Sequence, residues 1–237
     1  MYKKIITYII CIFLLSGCSA FEPSTPLSTE DNQNNQTILE ENLFMDYDAG
    51  FALGSKIKEI KSLPDKDKSV ILVDQESISK QVIESIKFSY NDTPLTPEQH
   101  KEKIIDIIRK IAMQAEADRL KIEPTQEEID AYREQFYNEE LLKSNLPYIN
   151  GYLAGAEITI DDYIQETKFS AYLACKRQAL WQQVKPSFEA DMQAEAQRRN
   201  MRLHDIETEY YKKYGDTLVE NAEIQILDKE LKKILSR

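Results

Sequence analysis

The sequence predicts a mainly α fold built around a helical hairpin, with two short strands, about 70–73 and 223–227, able to pair. Three observations lead there. Helix-start signals recur: "TPEQ", "TQEE" and "TIDD" each place a Thr three residues before a Gln, Glu or Asp. One segment carries Ile104, Ile105, Ile107, Ile108, Ile111, Ala112 and Ala115, a stripe wider than a single helix face. Aliphatic runs of strand length stand near either end of the body, at Val70–Val73 and around Ile224, Ile226 and Leu227.

The chain opens "MYKKIITYIICIFLLSGCSA", a basic start, a short apolar run and a small-residue site. This pattern marks an export signal over residues 1–17. The apolar run is shorter than the roughly 20 residues a spanning helix needs. "LSGC" resembles a bacterial lipobox, which implies cleavage before Cys18 and lipidation of its sulfur. More than one acyl chain is needed for stable anchoring, and a diacylated Cys18 meets that condition. The expected location is the extracytoplasmic face of a bacterial cell membrane.

Residues 19–37 are polar and contain Pro, which reads as a flexible tether. Residues 38–61 have recurring apolar positions and are a candidate for an extra helix, weakened by Gly50 and Gly54. The body is expected from about 62 to 237. "VILV" reads as a strand, "DQES" as a turn, and Ser79 as the cap of a following helix. Thr96, Pro97 and Gln99 start the next helix; "EPTQEE" breaks the chain, and Thr125 with Glu128 starts a helix over about 126–142, with Ile129, Tyr132, Phe136 and Leu141 inward. "SNLPYINGYLAG" reads as a break rich in Gly, Pro and Asn. Thr159 with Asp162 opens a long helix, and Pro186 with Ser187 restarts a charged one running through "SFEADMQAEAQRRNMRLHDIETEYYKKYGD".

Composition restricts function. The whole chain carries a net charge of −11; without residues 1–17 it has 28 basic and 41 acidic residues. That argues against nucleic acid and against electrostatic attachment to anionic lipid. His100 and His204 sit in polar helical surroundings without ligand spacing, so they read as solvated and no metal site is expected. Cys175, among small and apolar residues, reads as a buried thiol. The acid pairs Glu127/Glu128, Glu139/Glu140 and Asp161/Asp162 read as charges matched to helix dipoles. No glycine loop suited to phosphate occurs. Neither an enzyme nor a cofactor is expected.

What remains is aromatic surface. Phe136, Tyr137, Tyr148, Tyr152, Tyr163, Phe169, Tyr172, Trp181 and Phe188 crowd into about fifty residues. Most are expected in the core. Phe136, Tyr137, Tyr148, Tyr152, Tyr172 and Trp181 are the candidates for lining an apolar groove, because Tyr and Trp offer large area with few rotors.

The stretch "IIRKIAMQAEADRLKIEPTQEEIDAYREQF" resembles the helical hairpin of SurA-like and PrsA-like chaperone domains, through Ala115, Glu116, Ala117, Ile122, Thr125, Glu127, Glu128 and Ile129. "VILVDQESISKQVIES" resembles the strand–turn–helix that opens such domains, and "YYKKYGDTLVENAEIQIL" the helix and strand that close them. The resemblance covers about residues 69–228. It implies an extended helical chaperone-type domain whose first and last strands meet, holding unfolded or secreted polypeptides. Family members often insert a parvulin-type isomerase domain, for which this chain has no counterpart, so isomerase activity is not implied. The rival expectation is a lipoprotein module that binds one dedicated envelope partner.

Overall fold

The computed structural model describes residues 46–88, 94–136 and 146–236. Residues 1–45, with the expected signal, Cys18 and the expected tether, lie outside the described residues. The chain is mainly helical with a small antiparallel sheet.

Helix α1 (Tyr47–Lys61) starts at Asp46, whose carboxylate accepts from the Ala49 amide. Strand β1 (Ser69–Val73) then pairs antiparallel with β2 (Glu76–Ser79) through a two-residue turn. Both turn residues, Asp74 and Gln75, have positive φ, as a type I′ hairpin requires. "DQES" is therefore not one turn leading into a helix: its last two residues belong to a second strand. Ser79 does cap the following helix, α2 (Lys80–Ser85), accepting from the Val82 amide. On its other edge β1 pairs antiparallel with β3 (Ile224–Ile226), Ile71 opposite Ile226 and Val73 opposite Ile224. The sheet order is β2–β1–β3, so the opening and closing strands meet as expected.

Helix α3 (Pro97–Arg119) begins with a full capping box between Thr96 and Gln99. Its 23 residues span about 34 Å at the usual rise. Ile104, Ile107, Ile108, Ile111 and Ala112 are buried in the main core, with Val70, Ile71 and Val73 of the central strand. The chain reverses at Lys121, φ 58°, and Thr125 exchanges hydrogen bonds with Glu128 to start α4 (Gln126–Phe136). Ile129 and Tyr132 are half-buried; Leu141 lies outside the described residues. After α5 (Pro147–Ala156) comes α6 (Ile160–Val184), opened by the Thr159/Asp162 capping box. A 3₁₀ turn (Lys185–Phe188) leads into α7 (Glu189–Arg199). Asn200, at φ 51°, ends α7, and α8 (Leu203–Asn221) follows. The charged segment after Pro186 is thus two helices, broken where Asn tolerates the left-handed conformation. The chain closes through β3 and α9 (Lys229–Leu235), capped by Asp228.

Three further expectations need correction. "SNLPYINGYLAG" is not a break but contains α5, with Pro147 in its first turn. Its glycines serve contact rather than bending. A Cβ on Gly54 would lie 2.2 Å from the Tyr152 carbonyl oxygen, and one on Gly151 would lie 2.1 Å from the Tyr47 carbonyl oxygen. Gly50 and Gly155 are equally tight, so α1 and α5 run parallel with their backbones touching, the geometry of small-xxx-small helix pairs. This seam seats Leu53 and Ile57 of α1 in the same core as the sheet, so the described body begins at α1 rather than near 62. His100 is also buried, not solvated. Burial first, and Lys87 second, push its pKa below the ordinary 6.5, against a hydrogen bond to the Ile83 backbone and the charge of Glu84.

Arg109, buried on α3, ties the hairpin to α8. Its Nε donates to Asp216 at 2.8 Å and its Nη1 to Asp106 at 3.1 Å. Gly215 leaves the notch it fills, since a Cβ there would fall 2.3 Å from Arg109 Cγ.

Two outcomes follow for stability. Gly54→Ala adds a better helix former, yet is expected to lower unfolding stability by about 1–3 kcal/mol through overpacking; a urea titration that finds the variant as stable as the parent removes the seam. For His100, the unfolded chain takes up a proton near pH 6.5 and the folded chain only at lower pH. Its contribution is therefore intact above pH 6.5 and declines as pH falls toward the folded value. Melting curves should show this decline as pH falls below about 6.5, and His100→Leu should flatten it.

Candidate functional site

Of the six groove candidates, three are core. Tyr148 and Tyr152 are 1% and 3% exposed, covered because the glycine seam draws α1 onto α5. Tyr152 stacks edge-on against Tyr163, ring centroids 5.7 Å apart. Trp181 is 2% exposed and donates its indole N–H to Glu207 at 3.0 Å. None of these three offers surface to a ligand in this conformation, which corrects the expectation from sequence. Tyr172 is half-buried and donates its hydroxyl to Glu123 at 2.5 Å. Tyr137 and the side chain of Phe136 lie outside the described residues.

Accessible aromatic surface gathers instead around Trp181. Phe188, from the 3₁₀ turn, stacks on the indole at 5.9 Å with rings 17° apart. Tyr211 meets the indole edge-on at 5.6 Å. Tyr210 and Tyr214, one turn apart on α8, close on Phe188 at 5.9 and 6.2 Å. Phe188, Tyr210, Tyr211 and Tyr214 are each half-buried, over a small second core of Met192, Ala196 and Ile206. Burial, helped by the charge of Glu116, raises the Tyr214 pKa, so its hydroxyl stays protonated at neutral pH. Charged pairs frame the cluster: Lys185 with Glu207 at 2.8 Å, and Arg199 with Glu209 at 2.5 Å. Such a surface offers partly open apolar faces, suited to adaptable contact. The spacing Tyr210–Tyr214 in "EYYKKYGD" is the sequence signal for it. Its use of Phe188 depends on the 3₁₀ turn at Pro186, which no periodicity announces.

A second apolar feature lies on α1. Tyr47 and Phe51, 44% and 46% exposed, stack at 6.3 Å. Phe51 also lines an open pocket of about 350 Å³ on the glycine seam, with Ser55, Lys58, Ala154 and Glu157.

Buried charge concentrates at Lys176 of α6. Its ammonium donates to Asp118 at 2.6 Å, Glu123 at 2.8 Å and the Tyr172 hydroxyl at 3.2 Å. Burial works against its charge, but these bonds outweigh it and hold the pKa above the ordinary lysine value. Cys175 beside it is buried, as expected, with its thiol donating to the Glu128 carbonyl at 3.5 Å. Among the described residues no group of three or more His, Cys, Asp or Glu is placed to hold a metal ion. No described helix is long and apolar enough to cross a membrane.

No protein-family model matches the chain, and neither does a curated protein or a solved structure.

Proposed function

We propose that this chain is a SurA-like/PrsA-like chaperone domain without an isomerase insert, lipid-anchored through Cys18 outside the cytoplasm, that holds unfolded or secreted polypeptides and carries out no catalysis. The observation that carries this reading is the half-buried aromatic cluster of Phe188, Tyr210, Tyr211 and Tyr214. It presents partly open aromatic faces, which suit loose, sequence-tolerant contact with extended chain. The surrounding charge and the acidic balance of the body favour solubility while such a surface stays accessible. The motif order from opening strand to helical hairpin to closing strand is what the family resemblance rests on, and the pairing of β1 with β3 is compatible with it.

A second reading has its own support. The stacked Tyr47–Phe51 pair beside the seam pocket is a compact patch, and one dedicated envelope partner could seat on it. The two readings separate by which surface matters. The purified chain should slow the aggregation of a chemically unfolded client, and Phe188→Ala with Tyr210→Ala should weaken that effect about tenfold while Phe51→Ala leaves it unchanged. A chain that fails to slow aggregation of several unrelated clients sinks the holding reading. Loss confined to Phe51→Ala, with saturable binding to one envelope protein, transfers support to the second.

A further inference from the structure

Helix α4 is thinly seated. No side chain from Gln126 to Glu134 is fully buried, whereas α3 and α6 bury ten residues apiece. A segment with little burial opens at lower cost than the core around it. Yet α4 packs on α6 and covers Cys175, whose thiol reaches the Glu128 carbonyl. One tie lies at its base. The link from α3 turns through Lys121 in the left-handed region and then presents Glu123. One oxygen of Glu123 accepts from Lys176 at 2.8 Å, the other from the Tyr172 hydroxyl at 2.5 Å. Asp118, at the end of α3, accepts from the same ammonium, which also lies 5.5 Å from the centre of the Tyr172 ring. Lys176 is enclosed, while the carboxylates of Asp118 and Glu123 are more than half exposed. The link is therefore held by a buried cation reaching outward to exposed acids, while the helix beyond it has little burial of its own.

We infer that α4 is a flap, clamped onto α6 through Glu123 and able to lift without unfolding the rest of the chain. Lifting uncovers the strip of α6 around Cys175. Lys176 keeps Asp118 as a partner when Glu123 leaves, so its charge is not stranded and opening remains local. Pro124, directly after Glu123, keeps the link from continuing the helix and gives the flap a fixed base. This inference stands independently of the holding reading, since it concerns which segment moves and what restrains it.

The buried thiol reports on the motion. Maleimide labelling of the intact chain, read by mass spectrometry on the peptide containing Cys175, should be slow in the parent and about tenfold faster in Glu123→Ala, the effect of losing hydrogen bonds to a charged group. Because Glu123 is mostly exposed, that variant leaves no core cavity, and the same tenfold, about 1.4 kcal/mol, should lower its melting temperature by only about 3–6 °C. Arg199→Ala, which breaks an exposed pair elsewhere, should leave labelling at Cys175 unchanged. Native-state amide exchange supplies a test free of substitution: α4 amides should exchange ahead of those in α3 and α6. The flap is overturned if Cys175 reacts only through global melting in every variant, if both substitutions speed labelling equally, or if α4 exchanges together with α3.

Discussion

Where α1 lies along α5, backbone meets backbone, and the positions of most other groups follow from that contact. Each helix offers two glycines to a carbonyl of its neighbour, an arrangement in which Cα–H groups can point at carbonyl oxygens. With no side chain in the seam, the aromatic residues beside it must turn away. The two helices share a pattern, Tyr47-x-x-Gly50-Phe51-x-x-Gly54 in one and Tyr148-x-x-Gly151-Tyr152-x-x-Gly155 in the other. The outcome differs by position in the fold. On α5 the tyrosines are buried, with Tyr152 packed on Tyr163, and on α1 the aromatic pair is exposed. One local pattern thus yields core in one copy and surface in the other.

Two enclosed cations do related work elsewhere. Arg109 joins α3 to α8 through Asp216, and Lys176 joins α6 to the α3–α4 link. In each case the cation is covered while its acid partners remain partly in water, which limits the desolvation cost of the pair. The cations also fix relative placement. Arg109 needs the notch at Gly215, so α8 can dock on α3 in one register along that face.

Much of the fold was legible because capping is local chemistry. Thr96 with Gln99, Thr125 with Glu128, and Thr159 with Asp162 each start a helix where the sequence places one. The two aliphatic runs are strands, and they pair as the resemblance implied. The misreadings share a cause: a residue type was weighed without its distant neighbour. Gly50, Gly54, Gly151 and Gly155 looked like helix breakers because the opposing backbone is about a hundred residues away. His100 looked solvated because Ile83 and Lys87, which enclose it, approach from the other side of a connecting segment. Asp74 and Gln75 lack the glycine that usually signals a type I′ turn. Of the aromatic inventory, Tyr148, Tyr152 and Trp181 lie inward and Phe188 keeps a partly open face, beside Tyr210 and Tyr214, which that inventory did not include.

The sheet has a consequence in time. Its central strand β1 is made well before β3, for which one of its two edges waits, and the Asp74 carboxylate accepts from the Glu223 amide across 149 residues of sequence. Such distant pairing is slow, since a long loop must close before any contact rewards it. A chain emerging from its amino end can form the β1–β2 hairpin and the first helices, but carries an unpaired edge of β1 until β3, about 150 residues further on, appears. Its own completion is therefore a late event, and the nascent protein itself passes through an interval with apolar strand surface uncovered.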